Sequence, residues 1–382
     1  MEEENDAQRL AVICREIHKA KLTHINEVQN KNLRPVLSIA IPTYNRESRL
    51  KRQIIEILSQ IERCGIGKQV EIVISDNASN DGTADVFNNC SKLNLNLPKT
   101  SFFRNNSNLG VDGNFALAIL RATGTYVWLL SDDDILFEYS VEFIYNKILQ
   151  LNDPSNACFF INYHNTIEEN SLTAVPEIGP EDGLLLDEFM FATELKFSII
   201  SSCVFSRDKL NEVEFDQYIG TNYVHMFVML QCLQDRSGSI VRRSLFRNDH
   251  PGVLVSRSNS KFRDKGKGDF YLNAHMSYLY FISTLLKSSI NWMIKLKYIK
   301  MAGDENANQI IYYKITNNGY DSSYILKVTL KMISIIWYNP FLYLFHLPLL
   351  ISPNIVAKVI EPFRWKYLKL RGQFVAKLKR IL

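Results

Sequence analysis

Over its first third the chain alternates short apolar runs with stretches of helical periodicity. Val36–Ile41 is an apolar run closed by Pro42, the pattern of a strand buried in a parallel sheet. After the turn Pro42-Thr43-Tyr44-Asn45, Ile54, Ile57, Leu58 and Ile61 recur on one helical face, and Gly65 ends that helix. Val70–Ser75 predicts a second strand, with a polar loop from Asp76 to Gly82 and a helix over Thr83–Asn89. A third strand is expected at Ser101–Arg104, then a loop through Asn108 and Gly110, a helix over Gly113–Thr123 and a strand at Tyr126–Leu130. Strand–helix alternation of this kind predicts an α/β domain with a mostly parallel sheet, in which ligands bind beyond the carboxyl ends of the strands. Both polar loops, and the Ser131-Asp132-Asp133-Asp134 run after the last strand, fall at those ends.

Elsewhere the pattern is looser. Strands are expected near Cys158–Ile161 and Ile199–Phe205, and a helix over Val224–Leu233. Residues 1–34 read as a helical extension, with Leu10, Ile13, Cys14 and Ile17 at helical spacing, either packed on the main domain or serving self-association into a homo-oligomer. The main domain is placed at 35–267 and a helical region at 268–382. Within that region, Met332–Ile351 approaches the length of a membrane span, but Asn339, Pro340, His346 and Pro348 interrupt it. It reads either as an interfacial or re-entrant segment or as part of a packed helical subdomain.

Composition adds bounds. With 46% hydrophobic and 22% charged residues, 382 residues form a sizeable core, and a net charge of +4 is too small to imply nucleic acid as a partner. The charge is uneven: from Arg364 onward there are seven Lys or Arg and no acid, interleaved with Trp365, Tyr367 and aliphatic residues. That tail suits an anionic membrane surface. The six cysteines lack metal-ligand spacing and read as reduced thiols in a cytoplasmic protein. The acidic N-terminus has no apolar core of a signal peptide, so none is expected.

The acidic run carries the chemistry. Three adjacent carboxylates at the end of a buried strand repel one another and lose hydration, which a bound divalent cation with oxygen ligands would offset. The other reading is a solvated loop or a helix N-terminus that welcomes negative charge.

Taken in order, Ile41-Pro42-Thr43-Tyr44-Asn45-Arg46, Ser75-Asp76-Asn77-Ala78-Ser79-Asn80-Asp81-Gly82-Thr83, Asn108-Leu109-Gly110 with Asn114, and Ser131-Asp132-Asp133-Asp134 resemble family-2 glycosyltransferases of the GT-A fold, Rossmann-like with helices flanking the sheet. The resemblance is close over Val36–Leu136 and fainter to Arg257. It implies that Pro42, Thr43 and Tyr44 line the base and ribose of a nucleotide sugar, with Asn45 and Arg46 on the same loop. Asp76 would accept a hydrogen bond from the base, Asn77, Ser79 and Asp81 would shape its loop, and Asn108 and Asn114 would support the pocket. Ser131 stands where the family's Asp-x-Asp begins, so Asp133 is the expected ligand of Mg²⁺ or Mn²⁺, Asp134 a further one, and Asp132 approaches the ribose or metal. Tyr218–Phe227 resembles a segment of bacterial abequosyltransferases, with His225 near the place of the family's general base. His225 either takes the acceptor proton or binds substrate or caps a helix, and Asp216 is the fallback base. Phe246–Pro251 resembles the stretch that closes over the diphosphate, where His250 either ligates the metal or is an exposed loop residue. Arg247, Arg257 and Lys261 are further phosphate candidates.

The resemblance implies an inverting, metal-dependent transfer of a sugar from a CDP-, UDP- or dTDP-linked donor to a lipid-linked glycan such as O-antigen or capsule. It also implies a place on the inner face of the bacterial cytoplasmic membrane. Two rivals stand beside it. A nucleotidyltransferase would want a Gly-rich basic loop after the first strand, which Pro42-Thr43-Tyr44-Asn45 is not. A non-catalytic nucleotide-sugar or glycan-binding module would tolerate Ser131 and the missing acidic base.

Overall fold

Seven-residue strands at β1 (Leu37–Thr43) and β2 (Val70–Asp76) are buried at every position, the Ser38 hydroxyl and Glu71 carboxylate within them pairing with each other. They belong to a computed structural model that describes residues 2–27, 34–90, 98–151, 155–164 and 173–248, with 281, 282, 285, 291–296, 330 and 333. The remaining strands are β3 (Lys99–Arg104), β4 (Tyr126–Leu129), β5 (Ile135–Leu136), β6 (Asn156–His164), β7 (Cys203–Ser206) and β8 (Ser237–Arg247). The helices are α1 (Glu2–Glu27), α2 (Glu47–Cys64), α3 (Thr83–Cys90), α4 (Gly110–Arg121), α5 (Ser140–Leu149), α6 (Leu186–Thr193), α7 (Arg207–Leu210) and α8 (Val224–Cys232).

One sheet takes the order β3-β2-β1-β4-β7-β6-β8-β5. Its β3, β2, β1 and β4 strands pair in parallel, β7 runs against both β4 and β6, β8 is parallel to β6, and β5 opposes β8. Six of the eight strands therefore share one direction, the expected mostly parallel sheet with two reversed members. Trp128, Phe159, Phe160, Phe205 and Phe246 are fully buried in and around its central strands.

Helix α2 buries Leu50, Ile54, Ile57 and Ile61, leaves Leu58 half-buried, and stops at Gly65, whose φ of +66° lets the chain turn back. Helix α1 lies on α4, with Ile13 and Ile17 buried and the Lys21 ammonium donating to the Val213 carbonyl at 2.9 Å. Close approach is possible because position 113 is glycine: a Cβ there would sit 3.2 Å from Ile13 Cγ2.

The expected strand at Ile199–Phe205 is corrected. Lys196–Ser198 and Ile200–Ser202 form 3-10 turns, and extended chain begins only at Cys203. Those turns carry two polar contacts of the site, which a strand would point elsewhere.

Two compact units divide the chain, residues 1–256 and 257–382. In the second, Phe281, Ile282 and Leu285 are helical and buried. The Met332–Ile351 segment apart from Ile333, the basic tail and His250 lie outside the described residues. Among those described, no helix is long and apolar enough to cross a membrane.

Candidate functional site

β1 and β2 end in register, Thr43 opposite Asp76, and β4 reaches the same rim: Leu130 donates its backbone N–H to the Ala40 carbonyl at 2.9 Å, just before the acidic run. The first two loops at this rim are stitched together. The Asn45 N–H donates to the Ser79 hydroxyl at 2.8 Å, Asn80 N–H to the Asn45 side chain at 2.9 Å, and Arg46 N–H to the Thr83 hydroxyl at 3.1 Å. Asp76 is fully buried and accepts from the Ser79 backbone at 3.1 Å and from its hydroxyl, with the Arg104 guanidinium 3.6 Å away. Pro42 is buried and Tyr44 half-buried on the same turn.

The asparagines hold this rim from beneath. Asn77 accepts from Leu109 N–H at 2.9 Å and donates to Asn108 at 3.0 Å, fixing the loop before α4. Asn114 donates to the carbonyls of Thr43 at 3.3 Å and Ser75 at 3.0 Å, so one α4 side chain ties the ends of both central strands. Sequence reading missed two partners here, Asn105 and Arg121. Arg121 donates to the Ser75 hydroxyl and to Asn105, each at 2.8 Å, and burial lowers its pKa to about 10 despite the nearby Glu16.

All three carboxylates of the acidic run are buried, and each has its own partners. Asp132 accepts from the Thr43 hydroxyl at 2.7 Å, joining the run to the first loop. Asp133 accepts from the Ser131 hydroxyl and from the guanidinium groups of Arg46 at 2.7 Å and Arg49 at 3.2 Å, while its carbonyl accepts from Arg52 at 2.7 Å. Asp134 accepts from the Ser201 hydroxyl, on the side of the 3-10 turns. Burial opposes the charge on Arg46, but Asp132 and Asp133 outweigh it and hold the guanidinium protonated more firmly than in water.

Do these residues suit a divalent cation? Among the described residues no three His, Cys, Asp or Glu side chains group into a metal cage. Two carboxylates nevertheless address one cationic point: Arg46 Nη1 lies 2.7 Å from Asp133 Oδ2 and 3.6 Å from Asp132 Oδ1. A pair of hard oxygen donors, completed by phosphate and water, is how Mg²⁺ is commonly held beside nucleotides, so the donor set fits.

His225, near the start of α8, is buried with its ring edge-on to Phe115 at 5.8 Å. Its Nε2 lies 3.0 Å from the Ser198 carbonyl, an acceptor only, so Nε2 carries the proton, and in the neutral form of the ring the lone pair is on Nδ1. Ser198 and Ser201 sit five and two residues before Cys203, so the 3-10 segment links His225 to Asp134. No sequence signal marked these serines. Asp216, the fallback base, lies in a separate 3-10 turn at Phe215–Tyr218 and is exposed.

Non-glycine residues with left-handed φ gather on these loops: Asn45 at +52°, Ala78 at +62°, Glu194 at +49°, Leu195 at +61° and Asn222 at +62°. Backbone held this way costs free energy and persists where surrounding contacts fix it, as function often demands. At Asn222 the fixing group is Asp112 of α4, which accepts from the backbone N–H of Asn222 at 2.7 Å and Val224 at 3.1 Å. It thereby caps α8 in the absence of a cap from Tyr223.

Burial pushes the Asp112 carboxyl from 3.8 up to about 6, against the pull of backbone N–H groups at Val224, Asn222, Gly220 and Thr221. A raised carboxyl pKa means that the folded chain holds this proton more tightly than the unfolded one. The associated stability is full below about pH 4 and lost as pH climbs through 6. The stability gap between wild type and Asp112→Ala should therefore narrow by up to about 3 kcal/mol from pH 4 to pH 7 in urea unfolding. A gap that widens with pH would contradict this.

The rim just described, with two stitched loops, an acidic run and a helix behind it, has counterparts of known kind. Residues 38–213 match Glycosyl transferase family 2, a span that holds the two nucleotide loops, the acidic run and the 3-10 turns but not Asp216, α8 or Arg247 of β8. The chain carries a family-2 glycosyltransferase domain. It is 29% identical over 255 residues to the abequosyltransferase RfbV of Salmonella typhimurium, covering 64% of this chain and 73% of the relative. It is 27% identical over 233 residues to a GalNAc(5)-diNAcBac-PP-undecaprenol beta-1,3-glucosyltransferase of Campylobacter jejuni, covering 60% and 70%. The S. aureus TarS 1–349 structure superposes with a TM-score of 0.51 at 10% identity, covering 78% of this chain and 80% of TarS 1–349, which supports the fold alone. The glycosyltransferase thus has the GT-A-like sheet that its loop series implied.

Proposed function

We propose that this glycosyltransferase transfers a sugar from a nucleotide-diphosphate donor to a hydroxyl of a lipid-linked bacterial surface glycan, inverting the anomeric centre. The single observation that carries the reading is the convergence of Thr43, Asp76 and the Asp132–Asp133 pair on one sheet rim. Pro42, Thr43, Tyr44 and Asp76 take the nucleoside, held in shape by Asn45, Asn77, Ser79, Asn108 and Asn114. Asp132 and Asp133 would hold Mg²⁺ or Mn²⁺, which when bound offsets charge developing on the leaving diphosphate. Asp134, turned toward Ser201, serves the run from behind.

His225 Nδ1 takes the proton from the acceptor hydroxyl as that oxygen bonds to C1 and the bond from C1 to the diphosphate oxygen breaks. The acceptor class rests on the activity of the Campylobacter relative, and a dideoxyhexose donor such as CDP-abequose on that of the Salmonella one. The basic tail would keep the enzyme peripheral on the inner face of the cytoplasmic membrane.

Thermal unfolding with CDP-, UDP- and dTDP-linked sugars tests the reading. At a hundredfold excess over Kd, the true donor should raise Tm by roughly 2–4 °C with Mn²⁺ present and by less without it. No shift with any nucleotide sugar would contradict it.

A further inference from the structure

Arg46, Arg49 and Arg52 stand three residues apart at the start of α2, on the face turned to the acidic run. Two of these positive charges meet the carboxylates of Asp132 and Asp133, and the third meets the Asp133 carbonyl, while Asp134 faces Ser201. Arg46 holds the central place, since its Nη1 is shared by Asp133 Oδ2 and Asp132 Oδ1. Arg49 reaches the same Asp133 oxygen at 3.2 Å but is more exposed, its side chain 37% accessible against 23% for Arg46. Arg52 binds only the Asp133 carbonyl, leaving the carboxylates to the other two.

We propose that Arg46 is a resident counter-ion of the acidic run, which competes with a divalent cation for Asp132 and Asp133 and turns to the donor diphosphate once displaced. This rests on the donor reading given above. The physical case is one of charge balance. Two buried carboxylates without a cation would repel each other, and the guanidinium removes that cost while no donor is bound. A divalent ion arriving alone must break the Arg46 pair and leave the guanidinium without a comparable partner. Arriving with a diphosphate, the ion supplies charge to the carboxylates while the phosphate oxygens accept the forked guanidinium. Cation and donor therefore favour each other's binding reciprocally, and the metal is taken up chiefly when there is a donor to use it.

The test is Mn²⁺ binding to the full chain without nucleotide, by calorimetry, for wild type, Arg46→Gln, Arg46→Lys and Arg49→Gln. Arg46→Gln should bind Mn²⁺ at least about tenfold more tightly than wild type, a gain that a purely structural arginine would not give. Arg46→Lys, which keeps the charge, should stay within about threefold of wild type, and Arg49→Gln should gain about threefold. Equal or weaker binding by Arg46→Gln, or no binding by any of the four proteins, overturns the proposal. Should circular dichroism show Arg46→Gln unfolded, Arg49→Gln decides: a threefold gain supports competition and no gain overturns it. Because no nucleotide is present, the outcome is independent of whether the donor reading holds, which the nucleotide-sugar shifts test separately.

Discussion

Asp133→Asn lowers sugar transfer by at least about a hundredfold, the range seen when a preorganised charge is removed from a site of charge development. The amide keeps the shape of the side chain but has one acceptor in place of two. In the wild type, Asp133 accepts from Ser131, Arg46 and Arg49 at once. The variant therefore leaves an NH₂ group facing donors and removes the charge that would hold a cation. Breaking a fully buried pair costs about 3–5 kcal/mol, but Arg46 and Arg49 are partly exposed and water will screen much of that. The stability loss should thus be modest while the activity loss is large. Measuring Tm beside turnover separates the two, and a variant with near-normal turnover would remove Asp133 from the chemistry.

His225→Ala lowers kcat by about 10²–10⁴-fold while donor affinity stays within a few-fold of wild type. The ring sits on α8, outside the Thr43–Asp76 rim, and its Nε2 meets the Ser198 carbonyl. A residue that merely packed beneath Phe115 would, on truncation, lower Tm and change kcat little. The pH profile adds a second readout: loss of a general base removes the acid limb of kcat, whereas loss of packing leaves its shape intact. The Nε2–H bond to Ser198 fixes the ring's tautomer, so displacement of the 194–202 segment should give the same phenotype more weakly.

These two residues mark how far the chain could be read without its fold. The parallel half of the sheet was legible because β1, β2 and β4 are short, predominantly apolar runs, and the helices between them carry strong periodicity or a glycine stop. The long strand β8 escaped notice because Arg242, Arg243 and Ser244 interrupt its apolar pattern; Arg242 is nonetheless buried, donating to the carbonyls of Pro176 and Pro180. The nucleotide loops were legible as a series of Asn, Asp and Ser at strand ends. Their mutual bonds were not, since Asn45 to Ser79 and Asn77 to Asn108 join residues more than thirty apart. Asp112 carried no signal in the sequence, since only tertiary structure sets it against the backbone of Asn222 and Val224. Likewise, Arg46 was legible only as a member of the nucleotide loop and Arg49 carried no signal, until β4 brings Asp133 to both.

The most direct test is the release of nucleoside diphosphate from CDP-, UDP- and dTDP-linked sugars by the full chain, with and without Mn²⁺, for wild type and Asp133→Asn. Wild type should release diphosphate from one donor in a cation-dependent manner, and Asp133→Asn should not. Cation-independent release of equal rate by both proteins, or none from any donor even with lipid-linked acceptor added, would contradict the account.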